Sequence, residues 1–167
     1  MRPMDLTQLR PNVGIVLVAR DGRVWLGRRS NTPPPLNWQF PQGGIDIGEN
    51  ELDAALRELK EETGVSSVRL LGRTPGWLGY EFPPEHQGSK AGKGWKGQKQ
   101  VWFALEFEGE DAEVDLAAHD GEMEFDAWRW AELEEALEAV IAFKREVYRQ
   151  VVETFRPLVD QVRAGAR

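Results

Sequence analysis

Three glutamates, Glu58, Glu61 and Glu62, lie in a stretch whose apolar residues recur at helical spacing. On a helix they share one acidic face, separate from the apolar stripe that we expect to be buried. That stripe consists of Leu52, Ala55, Leu56 and Leu59. Like charges at this spacing should destabilise an isolated helix by roughly 0.2–0.5 kcal/mol per pair, unless a cation lies over them. Mg²⁺ prefers a few carboxylates, retained waters and phosphate oxygens, so the pattern favours a magnesium site that handles phosphates.

The helix that carries these acids has clear start and stop signals. We predict it over residues 51–62, with Asn50 as the N-cap and Gly64 as the left-handed residue that ends it. Glutamate is also a good helix former, and an exposed glutamate run is usually only a solvated face. The spacing alone therefore leaves both interpretations open.

Composition narrows the chemistry. The chain has 167 residues, of which 41 % are hydrophobic and 29 % charged, as is typical of one compact domain. It has no cysteine, which excludes thiolate metal sites, so any metal must be held mainly by oxygen. The net charge of −7 argues against binding duplex DNA. Clustered acids can still handle a polyanion through a divalent cation.

The chain shows no internal repeat and no linker. No window has the apolar length of a membrane span, and the first residues lack the features of a secretory signal. We therefore expect a cytoplasmic protein with no membrane partner, and we expect it to be a monomer. We predict a single domain over residues 8–158, with terminal extensions at 1–7 and 159–167.

The remaining pattern predicts an α/β fold with a mixed sheet flanked by helices. Two β-branched runs joined through Asp21-Gly22 predict a hairpin, and residues 30–35 and 85–99 predict loops. A helical pattern begins at Ala131, and we expect it to break near Pro157 and its last residues to fray. Further strands are predicted over residues 38–40, 68–71, 77–82, 100–107 and 128–130.

The segment GGIDIGENELDAALRELKEETGV, residues 43–65, resembles the Nudix box at every defined position. That resemblance implies an α/β/α sandwich and an enzyme that hydrolyses a nucleoside diphosphate linked to another group. It also implies Mg²⁺ as the cofactor, with Mn²⁺ as a substitute. In the matching positions, Gly43, Glu58, Glu61 and Glu62 are expected to contact the metal. Arg57, Glu58 and Glu61 are expected to be catalytic, with Glu58 as the first choice for the base that takes a proton from water.

Outside the box, the chain is similar to a narrower group, the bacterial RNA 5′-pyrophosphohydrolases and the closely similar dinucleoside polyphosphate hydrolases. The matching stretches are RPNVGIVLV, WQFPQGGID, GQKQVWF, EFDAWRW and FKREVY, at residues 10–18, 38–46, 97–103, 124–130 and 143–148. Two positions depart from that pattern. Leu9 replaces a tyrosine common before Arg10, and Met123 replaces a proline common before Glu124.

This narrower resemblance assigns substrate-binding positions. It implies phosphate contacts from Arg10, Arg29, Gln98 and Lys144, nucleobase contacts from Tyr80 and Phe143, and a further metal carboxylate from Glu124. From the residues alone, Phe143 on an amphipathic helix is more often a core residue than a base platform, and Lys144 would be a solvated lysine.

A lysine-rich segment precedes the GQKQ stretch. Lys90, Lys93, Lys96 and Lys99 surround Trp95 with no acid between them. Such a local positive patch suits a single-stranded, phosphate-bearing end. A solubilising loop with no binding role is an equal alternative.

We therefore expect a magnesium-dependent enzyme that removes pyrophosphate from 5′-triphosphate RNA. Hydrolysis of a dinucleoside polyphosphate, such as diadenosine tetraphosphate, is the main alternative. A nucleotide-binding module without turnover and a general nucleoside triphosphatase are the other two. The intact set of Glu58, Glu61 and Glu62 disfavours the binding module, because a pure binder has little need of all three.

Overall fold

The computed structural model describes residues 5–86, 94–117 and 123–165. The strands are β1 Leu9–Val18, β2 Val24–Arg29, β3 Trp38–Gln39, β4 Gln42–Gly44, β5 Val68–Arg73, β6 Leu78–Glu81, β7 Gly97–Phe107 and β8 Phe125–Ala131. The α-helices are α1 Glu51–Thr63, α2 Glu135–Ala139 and α3 Arg145–Gly165. Short 3₁₀ turns lie at Leu6–Gln8, Pro84–His86, Asp111–Glu113 and Ala142–Lys144.

The described strands form one mixed sheet with the order β3-β2-β1-β7-β5. The central pair is parallel, with β1 alongside β7 from Leu9 opposite Gly97 to Val18 opposite Glu106. The short strand β4 pairs with β1, β6 pairs with β7, and β8 pairs with β2, all antiparallel.

A hydrophobic core lies on each face of this sheet. Val16, Leu26 and Trp102 on one face pack with residues of α3, and Val13 and Trp25 on the other face pack with residues of α1. The expected sandwich of helices around a mixed sheet is confirmed. Among the residues that the structure describes, none of the helices combines the length and the apolar character of a membrane span.

The end signals of α1 are confirmed, but its predicted buried stripe is partly wrong. The Asn50 side chain accepts a hydrogen bond from the Asp53 N–H at 2.8 Å, and Gly64 has φ +79°. Leu56 is 37 % exposed, whereas Ala54 is buried. Because alanine is small, this side of the helix lies close to the sheet, and the buried face is turned toward the acids.

The prediction for the C-terminal region is wrong in two places. The strand β8 includes Ala131, and α3 continues through Pro157 to Gly165. Proline removes one helical hydrogen bond, but Phe155 and Val159 are buried on either side of it and hold both halves of the helix on the sheet. The loop predicted over residues 85–99 is also too long, because β7 begins at Gly97. The domain boundaries at residues 8 and 158 stay a prediction.

Candidate active site

The helix α1 lies against the glycine pair of β4. A Cβ atom at Gly43 would overlap the Glu58 carboxylate, so only glycine lets this glutamate lie so close to the strand. Gly43 is itself paired with Val13 of β1. The glycine that opens the Nudix-like segment thus fixes the distance between the acidic helix and the sheet.

Arg57 is the hub of the loop that leads into α1. Its Nε and Nη2 donate to the two carboxylate oxygens of Glu49 at 2.8 and 2.9 Å, and Nη2 also donates to the Gly44 carbonyl at 2.8 Å. Its Nη1 donates to Glu58 at 2.8 Å and to Glu61 at 3.3 Å. The hydrogen bonds from Arg57 hold the pKa of Glu49 at about 2, so Glu49 stays ionised.

Glu58 and Glu62 lie in a much less polar setting than a solvated face. Burial raises the pKa of Glu58, although Arg57 opposes this, and the nearby charges of Glu61 and Glu124 add to the increase. The pKa of Glu62 is raised well above its usual value by burial, and then by the charges of Glu58 and Glu124. The carboxylate oxygen Oε2 of Glu62 is buried without a hydrogen-bond partner among the described residues.

The three glutamates share one side of α1 as predicted, but this side is not separate from the buried one, because Glu62 is itself buried. Glu61 is 42 % exposed at the rim, Glu58 is 14 % exposed, and Glu62 faces the sheet. Within the described ranges, no three acidic or histidine side chains already converge as ligands around one point. Arg57 contributes to this separation of the carboxylates, because its Nη1 binds one oxygen of Glu58 and one of Glu61.

We define the acid cluster as Glu58, Glu62 and Glu124. The charge of Glu124 raises the pKa of both Glu58 and Glu62, and Oε2 of Glu62 is buried without a partner among the described residues. A divalent cation among them would relieve both penalties, because it would neutralise the like charges and bind the orphan oxygen. The residues present thus fit a hard divalent metal ion.

Ser30 fixes the loop that carries Glu124. The Ser30 hydroxyl donates to the Met123 carbonyl at 2.7 Å, and the Ser30 N–H donates to the Glu124 carbonyl at 3.1 Å. Arg29 lies 3.8 Å from the Glu124 carboxylate. The loop that carries Glu124 is therefore supported even though Met123 departs from the expected proline.

A cavity of about 390 Å³, which we call the central cavity, is lined by Arg29, whose Nη2 lies 3.8 Å from the carboxylate of Glu124 in the acid cluster. It is lined by five of the predicted substrate-binding residues, Arg29, Tyr80, Gln98, Phe143 and Lys144. The sixth, Arg10, lies outside this lining, with its Nη2 2.5 Å from where a Cβ of Gly44 would be. Leu9, the other departure, is buried at the start of β1.

One wall of the central cavity is aromatic. The ring of Tyr80 lies 5.7 Å from that of Phe143 and 6.0 Å from that of Phe82, between ring centroids. The Tyr80 hydroxyl donates to the Gln98 side chain, and burial raises the pKa of Tyr80, so the hydroxyl keeps its proton. Phe143 packs against the core and also lines the cavity, so the two interpretations of this residue are compatible.

Lys144 is buried, which corrects the expectation of a solvated lysine. Its Nζ donates to Gln39 at 3.0 Å and to Gln42 at 3.4 Å. Burial, and then the charge of Arg29, lower the pKa of Lys144 to about 7. The Lys144 amine lines the cavity, where its protonated form can donate a hydrogen bond to a negatively charged group.

Lys144→Met should change how stability depends on pH. The folded pKa is about 7, whereas the unfolded value is the ordinary 10.5, so the unfolded state binds more protons between these pH values. The wild-type free energy of unfolding should therefore rise with pH across this window, and the variant lacks this contribution. Chemical denaturation at pH 6.5 and pH 9 should show the wild type gaining about 2 kcal/mol over Lys144→Met. An unchanged difference at the two pH values would contradict the buried, neutralised amine.

Buried amides behind the cavity are the residues that sequence reasoning missed. Gln100 donates to Asn12 at 2.8 Å and to Gln42 at 3.3 Å, and Gln42 donates to Gln98 at 3.1 Å. The indole N–H of Trp102 donates to Gln100 at 3.1 Å. This network links the core to the cavity wall, and the only signal for it in the sequence is a set of polar residues inside apolar strands.

The lysine-rich segment is described only in part. Lys90 and Lys93 lie outside the described residues. The Nζ of Lys99 lies 4.9 Å from the ring centroid of Trp77, which places it over an aromatic face. Whether the segment binds a phosphate-bearing end stays a prediction.

A sandwich whose glycine-flanked helix places glutamates beside an arginine hub defines a recognisable class of hydrolase. Residues 8–151 match the family model of the NUDIX domain, and the chain belongs to that family. Nudix hydrolases generally need divalent metal ions. The chain is 59 % identical over 157 residues to the RNA pyrophosphohydrolase of Caulobacter vibrioides, covering 93 % of this chain and 91 % of that one. It is 48 % identical over 144 residues to the RNA pyrophosphohydrolase of Rhodospirillum rubrum, covering 86 % and 84 %.

Solved structures share the fold at lower identity. A Caenorhabditis elegans Ap4A hydrolase in a binary complex has a TM-score of 0.63 and 24 % identity, over 89 % of this chain and 99 % of that one. The Escherichia coli dihydroneopterin triphosphate pyrophosphohydrolase has a TM-score of 0.63 and 22 % identity, over 87 % and 98 %. These similarities support the sandwich architecture.

Proposed function

We propose that this chain removes pyrophosphate from the 5′-triphosphate end of RNA and leaves a 5′-monophosphate. The observation that carries the proposal is the position of Arg29. It lines the central cavity and lies 3.8 Å from Glu124 of the acid cluster, and its Nε is buried without a partner among the described residues. One cationic side chain thus joins a cavity suited to a nucleobase with a site suited to a metal and phosphates. The names of the curated relatives support the same substrate.

The acid cluster, with Glu61 at its rim and the Gly43 backbone beside it, is proposed to hold Mg²⁺, for which Mn²⁺ could substitute. When bound, the metal would neutralise phosphate charge and lower the pKa of water. Glu58 is the proposed general base, because its carboxylate is partly buried and its pKa is raised. It would take the proton as the water oxygen attacks phosphorus, while the bond to the pyrophosphate oxygen breaks.

The other side chains position the substrate. Arg29, Lys144 and Gln98 are proposed to contact phosphate oxygens, with Tyr80 and Phe143 against a nucleobase. Arg10, outside the cavity lining, would contact phosphates only on the Gly44 side. Arg57 orients Glu58 through the hydrogen bond that it donates. In this scheme the protein mainly positions the reacting groups and stabilises developing charge.

Dinucleoside polyphosphate hydrolysis is the second candidate. The aromatic wall of Tyr80, Phe82 and Phe143 would accept the base of either substrate. A polyphosphate that joins two nucleosides also presents a phosphate chain to the acid cluster. The expectations of a monomer and of a cytoplasmic location stay predictions.

A comparison of substrates should rank the two candidates. We expect kcat/KM for a short 5′-triphosphate RNA to exceed that for diadenosine tetraphosphate by at least about tenfold, and free nucleoside triphosphates to be poorer still. Turnover should stop when EDTA removes divalent ions and return when Mg²⁺ is restored. A dinucleotide preferred by orders of magnitude would make the main assignment wrong, and turnover in EDTA would remove the metal from the mechanism.

A further inference from the structure

A second groove, of about 500 Å³, lies next to the central cavity, and we call it the Arg28 groove. Arg29, Thr32, Asn37 and Trp38 line both the groove and the cavity, so the two are contiguous. Apart from Arg29, the residues that line the groove have no part in the proposed chemistry. More than half of the residues that line the groove belong to the loop between β2 and β3.

The groove carries positive charge on an acidic chain. Arg28 and Arg29 line the groove with a single acid, Asp126, and the Glu124 carboxylate lies 3.8 Å from Arg29 outside this lining. Arg28 donates to Asp126 at 2.7 Å, but the two side chains are 44 % and 43 % exposed. An ion pair so open to water is weak and screened by salt. Arg28 can therefore exchange Asp126 for another anion at little cost.

The walls of the groove are preformed. The guanidinium carbon of Arg28 lies 6.0 Å from the Trp38 ring centroid, and that of Arg129 lies 4.9 Å from it. These contacts restrict Arg28 and Trp38 before any ligand arrives. Pro34 and Pro35 form part of the rim with fixed φ and no N–H groups, so this rim offers shape rather than hydrogen-bond donors.

We propose that the Arg28 groove binds the sugar–phosphate backbone of the nucleotides that follow the 5′ end of an RNA strand, with Arg28 contacting one phosphate. The inference rests on the proposed function. If the 5′ end lies between the acid cluster and the central cavity, the rest of the strand must leave the cavity, and the groove is contiguous with it. A dinucleoside polyphosphate has no such continuation, so the groove favours RNA over that substrate.

Two measurements on oligonucleotides of two and eight residues test the proposal. The first is the binding of 3′-labelled 5′-monophosphate RNA, followed by anisotropy at several salt concentrations. The second is turnover of the corresponding 5′-triphosphate RNAs. The wild type should bind the octamer more tightly than the dimer. Arg28→Gln should weaken octamer binding by about 3- to 5-fold, leave the dimer unchanged, and make the slope of log K against log salt shallower by about 0.7.

Two further variants are matched controls. Arg69→Gln removes the same charge from a 60 % exposed arginine on β5, away from the groove, and should leave the length preference intact. Asp126→Asn removes the acid that competes with phosphate for Arg28, and should tighten octamer binding. The opposite signs at Arg28 and Asp126 distinguish a binding role from a general loss of folding.

The outcomes separate this inference from the function on which it rests. Release of pyrophosphate without a length preference, or with one that is insensitive to Arg28, would overturn the groove and leave the function intact. If octamer binding depends on Arg28 but no pyrophosphate is released, the groove would still be an RNA-binding surface and the proposed pyrophosphohydrolase activity would be wrong. Failure of both 5′-monophosphate oligonucleotides to bind, together with no release of pyrophosphate from the triphosphates, would overturn both.

Discussion

Glu58→Gln is expected to lower kcat on a 5′-triphosphate RNA by about 10²- to 10⁴-fold, the range that a positioned general base contributes. The amide is nearly isosteric, so it keeps the close approach to Gly43, but it cannot accept the proton from water. It also removes one charge from the acid cluster. Steady-state kinetics over a range of Mg²⁺ concentrations should show that saturating metal does not restore turnover.

A matched control lies on the same helix. Glu51→Gln removes the same charge from the first turn of α1, about two turns before Glu58, where Glu51 pairs with Arg73 at 2.8 Å. It should retain wild-type turnover. Both variants should melt near the wild-type temperature. Unchanged kcat in Glu58→Gln would remove Glu58 from the catalytic role.

Arg57→Ala is expected to affect stability and turnover together. The guanidinium donates to Glu49, Glu58, Glu61 and the Gly44 carbonyl, and its loss removes these hydrogen bonds, although Glu49 still accepts from the Asp46 N–H. We expect a loss of about 1–3 kcal/mol in the free energy of unfolding, as for hydrogen-bonded groups deprived of a charged partner. Because Glu58 would no longer be oriented, kcat should fall by roughly 10²-fold.

Arg57→Lys separates charge from geometry. Lysine keeps the positive charge but cannot reach Glu49, Glu58 and Gly44 at once with a planar fork. It should recover part of the stability and little of the turnover. Added Mg²⁺ should stabilise Arg57→Ala more than the wild type, because a cation can then neutralise acids that have lost Arg57. Equal stability of Arg57→Ala and wild type would show that the hub is not needed for the loop.

The sequence predicted the location and ends of α1 but not the direction in which its acids point. Asn50 and Gly64 are local signals, so they could be recognised without the fold. The buried side of the helix depends on Ala54 and on Gly43, which belongs to another element. A helical wheel ranks residues by hydrophobicity, so it predicted that Leu56 would be buried in preference to the smaller Ala54.

Lys144 and Pro157 show the same limit. The lysine is buried because Gln39 and Gln42, about a hundred residues earlier, offer it acceptors. Pro157 stays inside a helix because the residues around it pack on the sheet. Both results depend on contacts between distant parts of the chain, which override local preference. Five of the six residues that the resemblance assigned to substrate binding line one cavity, and their role stays a prediction. The resemblance could not reveal the amide network behind them.

The parallel pairing of β1 with β7 also affects how the chain folds while it is being translated. The two strands at the centre of the sheet are separated by β2 to β6 and α1, so the chain must close a very long loop before its sheet is complete. A nascent chain leaving the ribosome would present β1 and its hairpin partner well before β7 emerges. The apolar strand β1 would then be exposed for the time needed to add some eighty residues, so this protein should depend on chaperone protection during translation more than a sheet built from consecutive hairpins.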